Sequence, residues 1–145
     1  MNLRKMSKED LYSVIKLLDQ LGYPDTEKFL PQKIKNLLQD PDEYLTVAEG
    51  PDEKVIGFIS IHIIPQIALK GDFARISYFS VDENYRSSGI GKLLEEYAEK
   101  IARERNCDRI ELHCSFTREK AHRFYDRQGY IESPQYLMKK LCYGK

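Results

Sequence analysis

At 145 residues the chain has the length of one domain and enough material for a substantial core. Its 23 basic and 23 acidic residues cancel, which excludes the basic footprint of a nucleic-acid binder and the acidic field that attracts polycations. No apolar run approaches the length of a membrane helix, and Met1-Asn2-Leu3-Arg4-Lys5 does not lead into a signal core; three cysteines without a C-x-x-C fit a reducing compartment, so a cytoplasmic location is expected.

A short strand is predicted over Asn2 to Met6, followed by a helix that Ser7 caps, with Glu9 and Asp10 in its first turn, and that runs to about Leu21. Gly22-Tyr23-Pro24-Asp25 breaks that helix, and a second one carries Phe29, Ile34, Leu37 and Leu38 until Asp40-Pro41-Asp42 stops it. Strands are predicted over Tyr44 to Glu49 and Val55 to Ile64, joined by the turn Gly50-Pro51-Asp52-Glu53-Lys54. Pro65 ends the second of these, and a loop through Lys70-Gly71-Asp72 leads into a strand ending at Val81.

A long amphipathic helix comes next. Ile90, Leu93, Leu94, Tyr97, Ala98, Ile101 and Ala102 recur at helical spacing, while Lys92, Glu95, Glu96, Glu99, Lys100 and Arg103 cover the other side. After it come a strand from Arg109 to Ser115 and a shorter helix from about Glu119 to Gln128 that ends at Gly129, a residue suited to positive φ. A last strand over Tyr136 to Tyr143 completes the series. Hairpin strands with one long crossover predict an α/β chain, an α+β arrangement with a mixed sheet flanked by helices. Cys107, Cys114 and Cys142 are read as structural, small apolar side chains.

The segment Val81-Asp82-Glu83-Asn84-Tyr85-Arg86-Ser87-Ser88-Gly89-Ile90-Gly91-Lys92 runs from strand through turn into helix. The first N–H groups of a helix lack intrahelical partners and sit at the positive end of its dipole, so a phosphate placed there collects several hydrogen bonds. Gly89 and Gly91 bring no Cβ into the path of an approaching anion. Two other phosphate loops are excluded by spacing. A dinucleotide fingerprint needs glycine where Leu94 stands, and a P-loop needs Ser or Thr where Leu93 follows Lys92.

Arg86-Ser87-Ser88-Gly89-Ile90-Gly91 resembles the Arg/Gln-x-x-Gly-x-Gly/Ala signature of the GNAT acyl-CoA N-acyltransferase superfamily. A second hallmark of that family, A-x-x-F-Y-x-x-x-G-F/Y, is similar to Ala121-His122-Arg123-Phe124-Tyr125-Asp126-Arg127-Gln128-Gly129-Tyr130. With the order of elements, the resemblance covers about residues 2 to 142 and implies a single GNAT domain over 1–145, with a central, mixed, mostly antiparallel sheet. The Arg118-x-x-Ala-His-Arg-Phe-Tyr form and Gly129-Tyr130-Ile131-Glu132-Ser133 look most like small-molecule members such as aminoalkylphosphonate and related amine acetyltransferases.

The resemblance implies acetyl-CoA as co-substrate and no metal. It implies that backbone N–H groups of Arg86, Ser87, Ser88, Gly89, Ile90, Gly91 and Lys92 hold the pyrophosphate, and that the strand edge at Phe79, Ser80 and Val81 pairs with the pantetheine. Ser87 and Ser88 offer hydroxyls and Arg86 a charge. His122 is expected near the cofactor, and Tyr125 matches the tyrosine that protonates the departing thiolate in many members. A phenol near pKa 10 lies above a thiol near 8.5, so that transfer is feasible without being strongly driven. Phe124 is assigned to the core.

The chain departs from the family at the base. Many relatives carry a glutamate on the central strand where Ser77 and Tyr78 stand here. A substrate ammonium with pKa near 10 is mostly protonated at neutral pH, so its proton needs a route. Tyr78, Ser80 or His62 through an ordered water, or Glu111 and His113 on the neighbouring strand, are the candidates, and Tyr78 is taken as the catalytic one. No histidine pair has a helical metal spacing.

These readings predict N-acetyl transfer to a small primary amine by direct attack in a ternary complex, the acceptor being an amino acid, aminophosphonate, polyamine or aminoglycoside. The helical pair and the loop at Gly22-Tyr23-Pro24 border the acceptor site in such a fold. A protein N-terminal or lysine acetyltransferase, or a noncatalytic acyl-CoA-binding module, are the alternatives, and a homodimer is compatible with either.

Overall fold

The computed structural model describes residues 2–113, 118–132 and 137–141. It divides into two compact units, Met1–Leu112 and His113–Lys145. In the first, strands β1 (Asn2–Lys5), β2 (Glu43–Glu49), β3 (Val55–Ile64), β4 (Phe73–Val81) and β5 (Arg109–Leu112) form one sheet in the order β1-β2-β3-β4-β5. Neighbours pair antiparallel except β4 and β5, which are parallel because helix α3 (Ile90–Glu104) carries the chain across between them.

Helices α1 (Leu11–Leu21) and α2 (Leu30–Gln39) cover one face. Val14, Leu17, Leu18, Leu30 and Ile34 bury against Leu45, Val47 and Phe58 there. On the opposite face Ile90, Leu94, Ala98 and Ile101 of α3 meet Ile59, Ile61, Ile63, Ala74 and Ile76. Gly57 permits the closeness of that contact: a Cβ there would lie 3.1 Å from the Ser80 carbonyl oxygen, 3.2 Å from Ile90 Cγ2 and 3.3 Å from Leu94 Cδ1.

Three expectations shift. Ser7 opens a short 3-10 turn, Lys8–Asp10, whose Asp10 carboxylate accepts from Ser7 N at 2.8 Å, and α1 proper starts one turn later. Phe29 precedes α2 and is half exposed, leaving Leu30 to enter the core. Glu95, assigned to the water side of α3, is buried, because position 95 flanks Leu94 and stands one turn from Ala98 at the rim of a stripe packed close to the sheet.

In the second unit α4 spans Glu119–Arg127 and ends as predicted, with Gly129 at φ 92 and Tyr130 N donating to Tyr125 O at 3.0 Å. No residue of α4 is fully buried, Phe124 included, so its placement in a core is corrected to half-buried. Leu137–Leu141, within the predicted last strand, are exposed and in neither helix nor strand; strand propensity decides little without a neighbouring ladder. Residues 136, 142 and 143 of that prediction, and Cys114 and Ser115 of the preceding one, lie outside the described residues.

Candidate active site

The loop between β4 and α3 is built by short local bonds. Asp82 N donates to Ile56 O at 2.7 Å at the end of the strand, and the Asp82 side chain accepts from Asn84 N at 3.0 Å. Burial works to raise the Asp82 carboxyl, but the Asn84 N–H and the Lys16 and Lys54 ammoniums outweigh it and hold the pKa below the usual range; Lys16 Nζ is 3.5 Å away. The Ser88 hydroxyl donates to Tyr85 O, and Arg86 Nε reaches back to Val81 O at 3.4 Å.

Beyond that anchored turn, Ser87 (φ 69) and Gly89 (φ 91) both take left-handed backbone conformations. Left-handed residues within such a turn aim successive N–H groups to one side, the geometry of an anion nest. The first bond of α3 is Leu93 N to Gly89 O at 3.1 Å, so the N–H groups of Ile90, Gly91 and Lys92 lack intrahelical acceptors. A Cβ built at Gly89 meets nothing within 4 Å, which leaves room for an anion, and Ser87, Ser88 and Gly89 are exposed. Donor set, dipole and space fit a pyrophosphate.

β4 leads directly into this cradle, and its pairing changes character partway. Among the described residues β5 runs beside it from Phe73 opposite Arg109 to Ile76 opposite Leu112, and β4 continues through Ser77–Val81. On the other side Ile61 pairs with Ile76 but Ser60 pairs with Tyr78, which makes Ser77 the extra residue of a β-bulge. Ser77 and Tyr78 are consecutively exposed as a result, where strict alternation would bury one of them. Phe79, Ser80 and Val81 follow, paired to Ile59, Phe58 and Gly57.

Tyr78 stands on the face covered by α1 and α2. Tyr23, in the predicted acceptor-side loop, packs edge-on against it with ring centroids 5.4 Å apart and planes at 87°. Burial, then Tyr23, raises the Tyr78 phenol above its ordinary pKa, so at neutral pH it stays a proton donor. The end of α1 is tied to the sheet beside this pair: the buried Ser80 hydroxyl donates to Leu17 O at 3.3 Å and Glu83 N to Gln20 Oε1 at 3.0 Å. The first of these bonds engages the single Ser80 hydroxyl proton.

Sequence reasoning named His62 and Glu111 but missed Glu43 and Arg75, which complete a polar row on the same face. Glu43, His62, Arg75 and Glu111 lie opposite one another in register across β2, β3, β4 and β5. Glu43 Oε1 lies 2.9 Å from His62 Nδ1 and Glu43 Oε2 accepts from Ser60 Oγ at 2.6 Å, while Arg75 Nη2 donates to Glu111 Oε1 at 2.7 Å. Glu111 is therefore held in an ion pair, and His113, past the end of β5, is exposed. An unbroken β2–β3 ladder from Glu49↔Val55 would set Glu43 opposite Ile61; a bulge at Ile56 moves it opposite His62.

Within the second unit the Tyr125 ring packs edge-on against Phe124 (5.3 Å, 74°) and Tyr130 (5.5 Å, 67°), and His122 is half-buried one turn earlier on α4. Cys107 is half-buried and burial raises its thiol pKa, which agrees with a structural role. Among the described residues no cluster of metal-ligating side chains occurs, and no helix is long and apolar enough to cross a membrane.

An anion cradle at the end of a bulged strand, with a polar face beside it, defines a class, and the comparison with known sequences agrees: the profile of the acetyltransferase (GNAT) family matches residues 9–130. The chain belongs to the GNAT acetyltransferase family, whose members use acetyl-CoA as co-substrate, and its reaction class is N-acetyl transfer. It is 33% identical over 133 residues to an aminoalkylphosphonate N-acetyltransferase of Salmonella typhimurium, covering 90% of this chain and 85% of the relative. Its fold is similar to that of a tetramutant of the BH1408 protein from Bacillus halodurans, at a TM-score of 0.85 and 26% identity over 97% of this chain and 100% of the other. An aminoglycoside 6'-N-acetyltransferase from Acinetobacter haemolyticus shares the fold at a TM-score of 0.81 and 20% identity, over 98% of this chain and 100% of that one.

Proposed function

We propose that this protein is a single-domain cytoplasmic enzyme that transfers the acetyl group of acetyl-CoA to the primary amine of a small molecule, by direct attack in a ternary complex. The observation that carries the reading is the nest at Ser87 and Gly89 at the start of α3, at the end of a β4 whose bulge exposes Tyr78 on the α1–α2 face. Arg86 through Lys92 bind the pyrophosphate through main-chain N–H groups, and Phe79, Ser80 and Val81 supply the strand edge for the pantetheine. Tyr78 borders the acceptor. The family motif supports His122 beside the cofactor and Tyr125 as the acid that protonates the leaving sulfur.

Aminoalkylphosphonates lead the acceptors, by the 33% identity to an N-acetyltransferase for that class. A thiol-release assay with acetyl-CoA against aminoalkylphosphonates, amino acids, polyamines and aminoglycosides, run beside Tyr125→Phe, tests the proposal. Turnover confined to one amine class, with kcat lowered about 10²-fold or more in the variant, is the expected result. Saturable acetyl-CoA binding without turnover of any of these amines would refute the small-molecule reading and favour a protein acceptor or a noncatalytic acyl-CoA-binding module.

A further inference from the structure

The polar row across the sheet has a chemistry of its own. Glu43 is almost fully buried, with its side chain 3% exposed, whereas the His62 side chain is 35% exposed. A carboxylate accepts only, and Glu43 already receives the Ser60 hydroxyl, so the contact at 2.9 Å makes His62 Nδ1 the donor. The neutral ring then carries its lone pair on Nε2, away from the buried acid. A buried acceptor that fixes the tautomer and orientation of an exposed imidazole is the arrangement that prepares a general base.

The surroundings suit that task. Arg75 faces His62 from β4 and is held by Glu111 of β5; Ser60 lies two residues along β3, about 7 Å away, opposite Tyr78. Tyr23 closes on Tyr78 from the loop after α1. His62 thus stands one register position from the bulge, on the face of Tyr78, and the Arg75–Glu111 pair adds no net charge beside it.

We propose that His62 is the general base that deprotonates the acceptor ammonium, with Glu43 as its positioning residue. This rests on the acetyltransferase reading above and supplies the proton route it lacks. His62 Nε2 takes one proton from R–NH3+ and later releases it to water. The freed nitrogen lone pair forms the N–C bond at the thioester carbonyl, the C–S bond breaks with its electron pair going to sulfur, Tyr125 gives its phenol proton to that sulfur as proposed above, and the second proton of the attacking nitrogen restores the phenol. The products are the acetamide, free thiol and one proton.

The test uses wild type, His62→Gln and Glu43→Gln with 2-aminoethylphosphonate and the amines of the panel above. The expected result is that wild-type kcat/KM for the amine rises along one limb as pH increases. In His62→Gln that limb moves up toward the ammonium's own pKa near 10 and kcat falls about 10²-fold, with the Kd for acetyl-CoA unchanged as proof of an intact fold. Glu43→Gln lowers kcat while the KM for the amine and the Kd for acetyl-CoA hold, and its His62 ring loses the preference for the Nδ1–H tautomer, a change that a merely structural carboxylate would not cause. Long-range 1H–15N spectra of the wild-type ring show the Nδ1–H tautomer. Full activity with an unaltered limb in His62→Gln, or an Nε2–H tautomer, overturns the inference while leaving the acetyltransferase reading in place. Absence of acetyl-CoA binding by the wild type overturns that reading itself.

Discussion

Replacing Gly57 by alanine tests how the anion cradle is positioned. Glycine inside a strand costs roughly 0.5–1 kcal/mol relative to alanine, so on backbone grounds the substitution stabilises. Here the new methyl would sit 3.2 Å from Ile90 Cγ2 and 3.3 Å from Leu94 Cδ1, against an optimum of about 3.5–4.0 Å for carbon pairs, and 3.1 Å from the Ser80 carbonyl oxygen. Three neighbours from two elements converge on it, and Ile90 and Leu94 are fully buried, so none can swing away. Overpacking of this kind costs about 1–3 kcal/mol and wins over the backbone gain. At roughly 3–5 °C per kcal/mol for a chain of this size, Tm should fall by about 2–10 °C.

The strain falls on the first turn of α3, whose N–H groups form the cradle, so the KM for acetyl-CoA should rise while the KM for the amine changes little. A double variant with Leu94→Ala removes one of the three contacts and should cost less than the sum of the two single changes by at least about 0.5 kcal/mol. Thermal denaturation and initial rates on the four proteins check this. A Gly57→Ala protein with unchanged or raised Tm and an unaltered acetyl-CoA KM would refute the argument that this contact seats the helix.

Gly89→Ala meets open space, so its cost is purely that of a left-handed φ of 91, about 1–2 kcal/mol in chemical denaturation, with weaker acetyl-CoA binding by titration calorimetry; an unchanged midpoint would contradict the assigned backbone. Arg4 forks onto both Asp10 oxygens at 2.8 Å and reaches Glu49 at 2.8 Å, and its hydrogen bonds hold both carboxyls below the usual range. A lowered folded pKa contributes stability that is present above the unfolded value near 4 and lost as pH falls through the folded one. Arg4→Met should therefore be less stable than wild type at pH 7, with the gap closing as pH falls below about 4 in denaturant titrations; a gap independent of pH would exclude these ion pairs as its source.

Much of the scaffold was legible because its signals are local. The α3 stripe follows from the spacing of Ile90, Leu94, Ala98 and Ile101, β3 follows from its β-branched run, and Gly89 and Gly129 stand where the backbone turns left-handed. The candidate phosphate cradle is itself a local object, a strand end, a turn and a helix start in one stretch of chain, so residue order sufficed to point to it. The second family motif was equally readable in Ala121 to Tyr130, being confined to one helix and its cap.

The polar face of the sheet was decided only by tertiary structure. Glu43 and His62 are 19 residues apart and meet because a bulge at Ile56 shifts the β2–β3 ladder by one; the bulge at Ser77 likewise puts Tyr78 on the face of Tyr23. Arg75 and Glu111 belong to strands that only the α3 crossover brings side by side. A bulge changes which side of the sheet a residue faces at the cost of one unpaired position, and no local pattern of hydrophobicity records where that occurs. Chain order therefore pointed to the candidate cradle, and strand register determined which polar side chains share the face of Tyr78.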